Sequence, residues 1–494
     1  MEAHSELTPE KISLVMIVRN CASTIERCLS SVFDREVPAA DEAIAVLGGE
    51  STDKTEEILG ALRQFRKWPI RIVGLPDSIR ESAFDEEGRI INFSAVRNFA
   101  HSQAAHPWHL WLDGDDCITK PERVREVLRN EGRQLEGGAN GDTRSLGLGE
   151  ALAEIQRDRP EVNLVWVPYH YLIEPVTDKV LIAQRRERII RWQDGFRWVD
   201  PVHEHLAPVG ANRYVMQNHI ILVNFWVEHR PDRSDEEREA RNFRILERMK
   251  PLADSRWRVA FYLADHYSSA GQFEEAKVYF NKAIALAFND EERYLTWHDA
   301  FRLAWREGNK ESALAAASRL ISMEPTRLEG LANMVIYYGN FDRRADRTVE
   351  WYERYIESLD KKTGYLSMYA AEIRLLPHLC AIQAYVTYNR YDDAKKACER
   401  ALAYEPRHPD ALQGLEIIDR FVKRDEATEW AAKLLRYSAD SGDIHRARTI
   451  ANSLPASIRE TGAVVSEATR IAALPTGAAP RFRLLGTDDA RPPY

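Results

Sequence analysis

Four short apolar runs in the first 113 residues constrain the fold more than any other feature of the sequence. They are ISLVMIV (12–18), EAIAVL (42–47), IRIVGL (70–75) and WHLWLD (108–113). Continuous apolar runs rich in β-branched residues are typical of strands buried on both faces. The segments between them carry apolar residues at helical spacing, as in IERCLSSVF. This alternation predicts a mostly parallel sheet with helices on its faces.

Two of the predicted helices follow polar residues that can act as N-terminal caps. We expect Ser23 or Thr24 to cap the first helix, and Ser51 or Asp53 to cap the second. Such side chains accept hydrogen bonds from the exposed amides of the first helical turn.

The sequence becomes helical near residue 233, and small residues then recur at fixed distances. Three predicted turn residues can be aligned as one position of a repeat. The residue five positions after each is alanine, and the residue seventeen positions after is proline in two of the three. The aligned residues are Gly271, Gly308 and Asn389; then Ala276, Ala313 and Ala394; then Pro325 and Pro406 in two of the three copies. Small residues let paired helices pack closely, and proline ends the second helix. The pattern is similar to tetratricopeptide repeats, with a degenerate copy near Gly339; the alternative is an ordinary helical bundle.

Composition narrows the class of protein. The 494 residues predict two or three domains, and a net charge of −9 with a pI near 5.9 does not suggest a dedicated nucleic-acid binder. Five cysteines without a Cys-x-x-Cys pair indicate reduced thiols. The acidic N-terminus is not a signal peptide, and no run approaches the roughly 18 apolar residues of a membrane span. We therefore expect a cytoplasmic protein.

Three aspartates within four positions, Asp113, Asp115 and Asp116, follow the fourth predicted strand. Carboxylates repel one another and resist desolvation, so the cluster indicates either a polar turn or a bound cation. Ligands of open α/β sheets bind beyond the carboxyl ends of the strands, where this cluster falls. Carboxylate oxygens favour Mg²⁺ or Mn²⁺ over Zn²⁺.

Five motifs in order give residues 12–230 a resemblance to the family-2 glycosyltransferases, which have the α/β, Rossmann-like GT-A fold. They are ISLVMIVRN, GGESTDKTEEIL, FSAVRNFAHSQA, WLDGDD and FRWVDPVHEHL. The last is similar to a segment of relatives with C-terminal tetratricopeptide repeats, including the S-linked glycosyltransferases of bacteriocin pathways. The expected organisation is a GT-A catalytic domain at 1–232, an all-α tetratricopeptide-like helical repeat domain at 233–455 and a flexible tail at 456–494.

The resemblance also implies roles for individual residues. For the metal it implies Asp115, with His229, Asp113 and His203 as further candidate ligands. For the acceptor base it implies Glu204, with Asp200 as the second candidate; Trp192, Phe196 and Trp198 form either an apolar wall or ordinary core. For the nucleotide-sugar donor it implies Val18, Arg19, Asn20, Glu50, Asp53, Arg97, Asp113 and Gly114. Of these, Arg97 would pair with the diphosphate, and Asp113 would face the ribose or a metal-bound water. Asp116 is left open, and it can instead cap the following turn.

One position departs from the family pattern. The family has an aspartate that reads the uracil edge where this sequence has Gly48. Either Glu50 or Asp53 takes over base recognition, or the base is held differently, or it is not uracil.

The expected function is metal-dependent transfer of a sugar from a nucleotide-sugar, UDP-linked by resemblance, to a hydroxyl or thiol. A protein or peptide acceptor held by the repeats fits best, and the repeats can instead hold a second copy of the chain. The alternatives are the same chemistry on a modified DNA base or a cell-surface glycan, and a non-catalytic scaffold with a degenerate transferase domain.

Overall fold

The chain divides into two compact units, residues 1–248 and residues 249–494. The computed structural model describes residues 8–118, 129–130, 133–134, 147–173, 180–211, 218–222, 225–232, 235–360, 373–421, 427–440, 444–454, 459–460 and 462–473. Helix α6 (Asp235–Met249) lies almost wholly in the first unit, beyond the predicted domain boundary at residue 232.

A nine-stranded mixed sheet forms the centre of the first unit in the described residues, in the order β3-β2-β1-β4-β9-β8-β13-β5, with β12 also paired to β8. Its strands are β1 (Ile12–Val18), β2 (Glu42–Leu47), β3 (Ile70–Val73), β4 (Trp108–Trp111), β5 (Asp116–Ile118), β8 (Leu164–Ile173), β9 (Val180–Arg191), β12 (His219–Ile221) and β13 (Val227–His229). Short hairpins are formed by β6 (Arg129–Asn130) with β7 (Arg133–Gln134), and by β10 (Phe196–Val199) with β11 (His205–Pro208).

The first four strands are parallel, as the apolar runs predicted. β1, β2 and β4 are buried, whereas β3 lies at the edge of the sheet and is only partly buried. The helices of this unit before α6 are α1 (Ile25–Phe33), α2 (Thr55–Ala61, extended by a π-helical turn at Leu62–Arg66), α3 (Asp77–Ala83), α4 (Phe93–Ser102) and α5 (Leu148–Asp158). The predicted cap of α1 is wrong, because the Thr24 hydroxyl donates to the carbonyl of Cys21 instead of accepting from the helix. Asp53 does accept the amide of Thr55 at the start of α2.

The second half of the sheet differs from the sequence prediction. Residues 185–208 carry many charges and no continuous apolar run, yet β9 runs on to Arg191 and β10 and β11 pair as a hairpin. β9 lies between β4 and β8 and is antiparallel to both. The apolar stretch at 218–229 contains two short strands, β12 and β13. The apolar pattern did not predict this part of β9, because this central strand buries the charged side chain of Arg188, paired with Asp116, in place of an apolar one.

The second unit is helical throughout its described residues. Its helices are α7 (Trp257–Ser269), α8 (Phe273–Leu286), α9 (Asp290–Glu307), α10 (Lys310–Met323), α11 (Leu328–Ile336), α12 (Ala345–Asp360), α13 (Leu376–Thr387), α14 (Tyr391–Tyr404), α15 (Pro409–Phe421), α16 (Ala427–Asp440), α17 (Ile444–Ser453) and α18 (Gly462–Ala472). Successive helices pack as antiparallel pairs, α7 with α8, α9 with α10, α11 with α12 and α13 with α14.

The predicted phase of the repeat is confirmed by the backbone. The three aligned turn residues, Gly271, Gly308 and Asn389, all adopt left-handed conformations between the paired helices, with φ of 74°, 77° and 57°. The alanines five residues on are fully buried. The copy near Gly339 is irregular, because a π-helical segment (Tyr337–Asp342) separates α11 from α12. A Cβ on Gly339 would lie 2.7 Å from the Cβ of Cys380, so only glycine fits this helix crossing.

Three further observations bear on the sequence expectations. The 456–494 stretch was expected to be a flexible tail, but within it α18 packs on α16 and α17. All five cysteines are buried free thiols. Across the described part of the chain, none of the helices combines the length and the apolar character needed to cross a bilayer.

Two buried histidines make the helical unit sensitive to acid. Burial lowers the pKa of His298 and of His378 to about 3 in each case, and each Nδ1 is hydrogen-bonded, to Asn333 and to Tyr352 respectively. The unfolded chain binds protons at these sites near pH 6.5 and the folded chain does not. Stability is therefore full above pH 6.5 and falls as the pH drops towards 3, by about 1.4 kcal/mol per pH unit for each histidine.

We expect urea-unfolding midpoints at pH 7.5, 6.0 and 5.0 to fall more steeply in the wild type than in His378→Asn, which keeps an acceptor for Tyr352 but cannot be protonated. His408→Asn, a less buried histidine of the same unit, is the matched control. Equal slopes in all three proteins would contradict the prediction.

Candidate active site at the carboxyl edge of the sheet

The turn between β4 and β5 holds the aspartate cluster at the carboxyl end of β4. The amide of Asp113 donates to the Asp116 carboxylate at 3.0 Å, and the amide of Asp116 donates to the carbonyl of Asp113 at 3.0 Å. Gly114 packs against Cys21, and a Cβ at this position would lie 3.0 Å from the Cys21 sulfur. The turn therefore has a fixed shape in which Asp113 and Asp115 are partly exposed and Asp116 is fully buried.

Asp116 is the buried anchor of this turn. Its carboxylate is fully buried and pairs with Arg188 at 3.0 Å, while Tyr169 donates to it at 3.1 Å and His229 Nδ1 lies 3.3 Å away. Burial acts to raise the pKa of Asp116, but the charge of Arg188 and the hydrogen bond from His229 outweigh it and hold the pKa at about 2. Because these partners occupy both oxygens, Asp116 orients its neighbours and is a poor direct metal ligand.

His229 reaches the turn because β13 pairs antiparallel with β5, in a register that sets His229 opposite Asp116. Its Nδ1 lies 3.7 Å from Asp115, and the ring of Tyr171 stacks on it with centroids 5.4 Å apart. Burial acts to lower the pKa of His229, but the three aspartates together raise it. Burial raises the pKa of Asp115, a shift that His229 opposes and the charges of Asp116 and Asp113 increase.

The residues present fit a divalent cation. Asp115, Asp116 and His229 each offer a ligand atom, and these atoms lie within 4.8 Å of one another. The Nε2 atom of His229 is buried without a hydrogen-bond partner among the described residues, although an imidazole nitrogen in that state normally has one. Asp115 and His229 are thus the available pair, and Asp116 is the carboxylate that fixes the histidine ring behind them.

Arg97 connects the aspartate turn, through Asp113, to the loop that carries Glu204. From α4 its guanidinium donates to one oxygen of Glu204 at 2.8 and 3.0 Å and lies 3.4 Å from Asp113. It is buried between the rings of Trp111 and Trp198, with centroids at 4.7 and 5.1 Å. The arginine partner of Glu204 is therefore Arg97 of α4, and the pair lies between Asp113 and the loop after β10.

The loop that carries Glu204 is held by α4 and bent sharply. Asn98 brackets the backbone of Trp198, accepting from its amide at 2.7 Å and donating to its carbonyl at 2.9 Å. Asp200 and His203 both adopt left-handed backbone conformations, with φ of 72° and 51°. Non-glycine residues in that region store strain, which concentrates at functional sites. Asp200 pairs with His205 at 3.2 Å.

The turn after β1 is tied to the turn after β2 through the predicted donor residues. Asn20 is left-handed (φ 49°) and accepts from the amide of Thr52 at 2.7 Å, while Asp53 accepts from the amide of Ala22 at 2.9 Å. Arg19 donates to the carbonyl of Glu50, and Val18 accepts from the amide of Gly48. Both Glu50 and Asp53 are exposed, but the carboxylate of Asp53 is engaged by backbone amides.

Gly48 itself cannot be exchanged for the family's aspartate without a rearrangement. A Cβ there would lie 2.7 Å from the Cγ2 atom of Ile17. This departure from the family pattern is therefore built into the packing of β1 against β2.

Some candidates are not brought together, and some residues of the site were missed. His203 lies outside the Asp115, Asp116 and His229 cluster, and Trp198 and Phe196 are buried in the core, not arranged as an open wall. Sequence reasoning missed Arg188, Tyr169 and Tyr171, which support the turn and the histidine. For Arg188 the signal was the charged run RRER (185–188), and for the two tyrosines the sequence offered none.

The comparisons with known proteins agree with this architecture. Residues 13–133 match the family model described as Glycosyl transferase family 2, and residues 261–290 match a Tetratricopeptide repeat model. The chain is therefore a glycosyltransferase. More particularly, it combines a family-2 domain of the GT-A type with a C-terminal tetratricopeptide-like helical unit, as the sequence predicted.

Several solved structures are similar to the chain at low identity. A Staphylococcus aureus TarS fragment (1-349) in complex with UDP-GlcNAc is 14% identical, covers 72% of this chain and 93% of its own, and gives a TM-score of 0.31. A tetratricopeptide repeat protein from Parabacteroides merdae is 13% identical, with coverage of 48% and 94% and a TM-score of 0.31. Among the curated proteins, none matches the sequence.

The geometry predicts different effects for the two adjacent aspartates on metal binding. Binding of Mn²⁺ is measured by the decrease of the free-ion EPR signal when protein is added. We expect Asp115→Asn to abolish Mn²⁺ binding, so that the free-ion signal stays unchanged. Asp116→Asn should weaken Mn²⁺ binding about 10- to 100-fold, because the histidine ring loses its orienting carboxylate.

If Asp116→Asn does not fold, Tyr169→Phe removes one hydrogen bond from Asp116 and should weaken Mn²⁺ binding less. Glu161→Gln, at an exposed acid of the same unit, is the control. Wild-type affinity in Asp115→Asn would contradict its assignment as a ligand.

Proposed function

We propose that this glycosyltransferase is metal-dependent and moves a sugar from a nucleotide-sugar, UDP-linked by resemblance, to an acceptor hydroxyl or thiol with inversion. The observation that carries the proposal is the convergence of Asp115, His229 and the Arg97–Glu204 pair on one edge of the sheet. Asp115 and His229 would hold Mn²⁺ or Mg²⁺, which supplies charge neutralisation for the departing diphosphate. Asp113, two-fifths exposed beside them, faces the ribose or the outer coordination shell.

Glu204 is the proposed base that accepts the proton of the acceptor nucleophile. Its side chain is 14% exposed, and Arg97 fixes one oxygen, which leaves the other to face the acceptor. Asp200 is less suited, because it is buried and paired with His205. Because Arg97 is occupied by Glu204 and Asp113, its contacts favour positioning of these groups over direct pairing with the diphosphate.

The helical unit is the proposed binding element for the acceptor. Tetratricopeptide arrays present a curved surface that binds extended polypeptide segments, so a protein or peptide acceptor fits best. A thiol acceptor would match the S-linked bacteriocin glycosyltransferases that the sequence resembles. The same surface would alternatively join two copies of the chain.

Nucleotide release tests the reaction. Purified protein with Mn²⁺ is expected to release nucleotide from at least one sugar donor in a panel of UDP-, GDP- and TDP-sugars, and to lose this activity with EDTA. A folded protein that shows no turnover and no metal-dependent nucleotide binding would refute the proposal. Intact-mass analysis of candidate proteins and oligonucleotides would then distinguish the acceptor classes.

Glu204→Gln separates binding from chemistry. The amide keeps the shape of Glu204 and an oxygen for Arg97 but cannot accept a proton, so we expect kcat to fall about 10²- to 10⁴-fold with donor affinity retained. Asp194→Asn, at a partly exposed acid of the same segment, should behave as wild type. Unchanged turnover in Glu204→Gln would remove Glu204 from the role of base.

A further inference from the structure

Three guanidinium groups surround one indole ring at the carboxyl end of β4. Arg188, Arg97 and Arg186 lie 3.8, 4.7 and 5.5 Å from the centroid of Trp111. Like charges this close repel one another, so each requires a compensating anion. Arg97 has Glu204 and Asp113, and Arg188 has the fully buried Asp116.

Arg186 differs from the other two in its exposure. Its side chain is 30% exposed, against 9% for Arg97 and 1% for Arg188, and its interactions include an ion pair with the adjacent Glu187 at 3.5 Å. Among the described residues around this ring and its turn, the more exposed charges include Arg186, Asp113 (40%) and Asp115 (30%). The two carboxylates are complementary to a cation, and the guanidinium is complementary to a polyanion that carries this cation.

The strand register explains why Arg186 lies there. β9 is antiparallel to β4, with Leu110 opposite Ile189, so continuing the register brings 186–188 alongside the end of β4. The pairing of β9 with β8 shifts between Ile189 and Glu187, which inserts Arg188 as an extra residue. Bulges of this kind re-aim side chains, and here Arg186 and Arg188 converge on the same ring.

We infer that Arg186 binds the diphosphate of the nucleotide-sugar donor, the role that the sequence assigned to Arg97. A guanidinium offers several donors to phosphate oxygens, and an aromatic platform holds its plane in place. This inference rests on the proposed function, because it assumes a diphosphate donor at this edge of the sheet.

Isothermal titration with inorganic pyrophosphate, and with UDP, GDP and TDP, each in the presence of Mn²⁺, tests the assignment. Arg186→Gln is expected to weaken pyrophosphate and nucleoside diphosphate binding about tenfold or more. Arg185→Gln is the matched control, because it removes the same charge one residue earlier in β9. Arg185 is exposed, and its position in the strand places it on the opposite face from Arg186. Arg185→Gln should bind as wild type.

The outcomes separate this inference from the proposed function. Diphosphate binding by the wild type with equal affinities in Arg186→Gln and Arg185→Gln would overturn the role of Arg186 alone. Lower thermal stability of Arg186→Gln with unchanged affinity would also overturn it, because Arg186 would then only neutralise Glu187. A wild type that binds no diphosphate would overturn both proposals. If Arg186→Gln does not fold, Arg186→Lys keeps the charge beside Glu187 and should still bind more weakly than wild type.

Discussion

The ion pair between Arg188 and Asp116 is the interaction on which the candidate site depends. Both side chains are essentially excluded from water, and removing one partner of such a pair costs about 3–5 kcal/mol. The pair joins β9 to the turn after β4, and Asp116 also contacts β8 through Tyr169 and β13 through His229. One carboxylate thus holds together four strands and sets the position of the two residues suited to bind metal.

A second arrangement positions Glu204, the proposed acceptor base. Helix α4 presents Arg97 and Asn98 consecutively, the first to the carboxylate of Glu204 and the second to the backbone of Trp198. Trp111 lies between the two arrangements, with Arg188 and Arg97 both against its ring. The proposed donor and acceptor halves therefore share a rigid aromatic and cationic core, and substrates would meet side chains that are already oriented.

The sequence was sufficient where apolar periodicity and turn chemistry dominate. The parallel strands β1 to β4 are continuous apolar runs, and the phase of the helical repeat follows from Gly271, Gly308 and Asn389, where left-handed turns favour glycine or asparagine. It was insufficient for β9, because Arg188 becomes a core residue only when Asp116, Tyr169 and Trp111 surround it. The cluster of Asp115 with His229 could be suggested by resemblance, but the separate task of Asp116 depends on contacts that no local pattern encodes.

The long sequence separations within the site have a consequence for how the protein is made. Asp116 and His229 are 113 residues apart, and Arg97 and Glu204 are 107 apart. Contacts between such distant segments form only after the entropy of closing long loops has been overcome, so they belong to the late steps of folding. A nascent chain still emerging from the ribosome has its aspartate turn long before it has the histidine. The proposed metal site, and any chemistry that needs it, therefore arises only when synthesis has passed the last strand of the sheet.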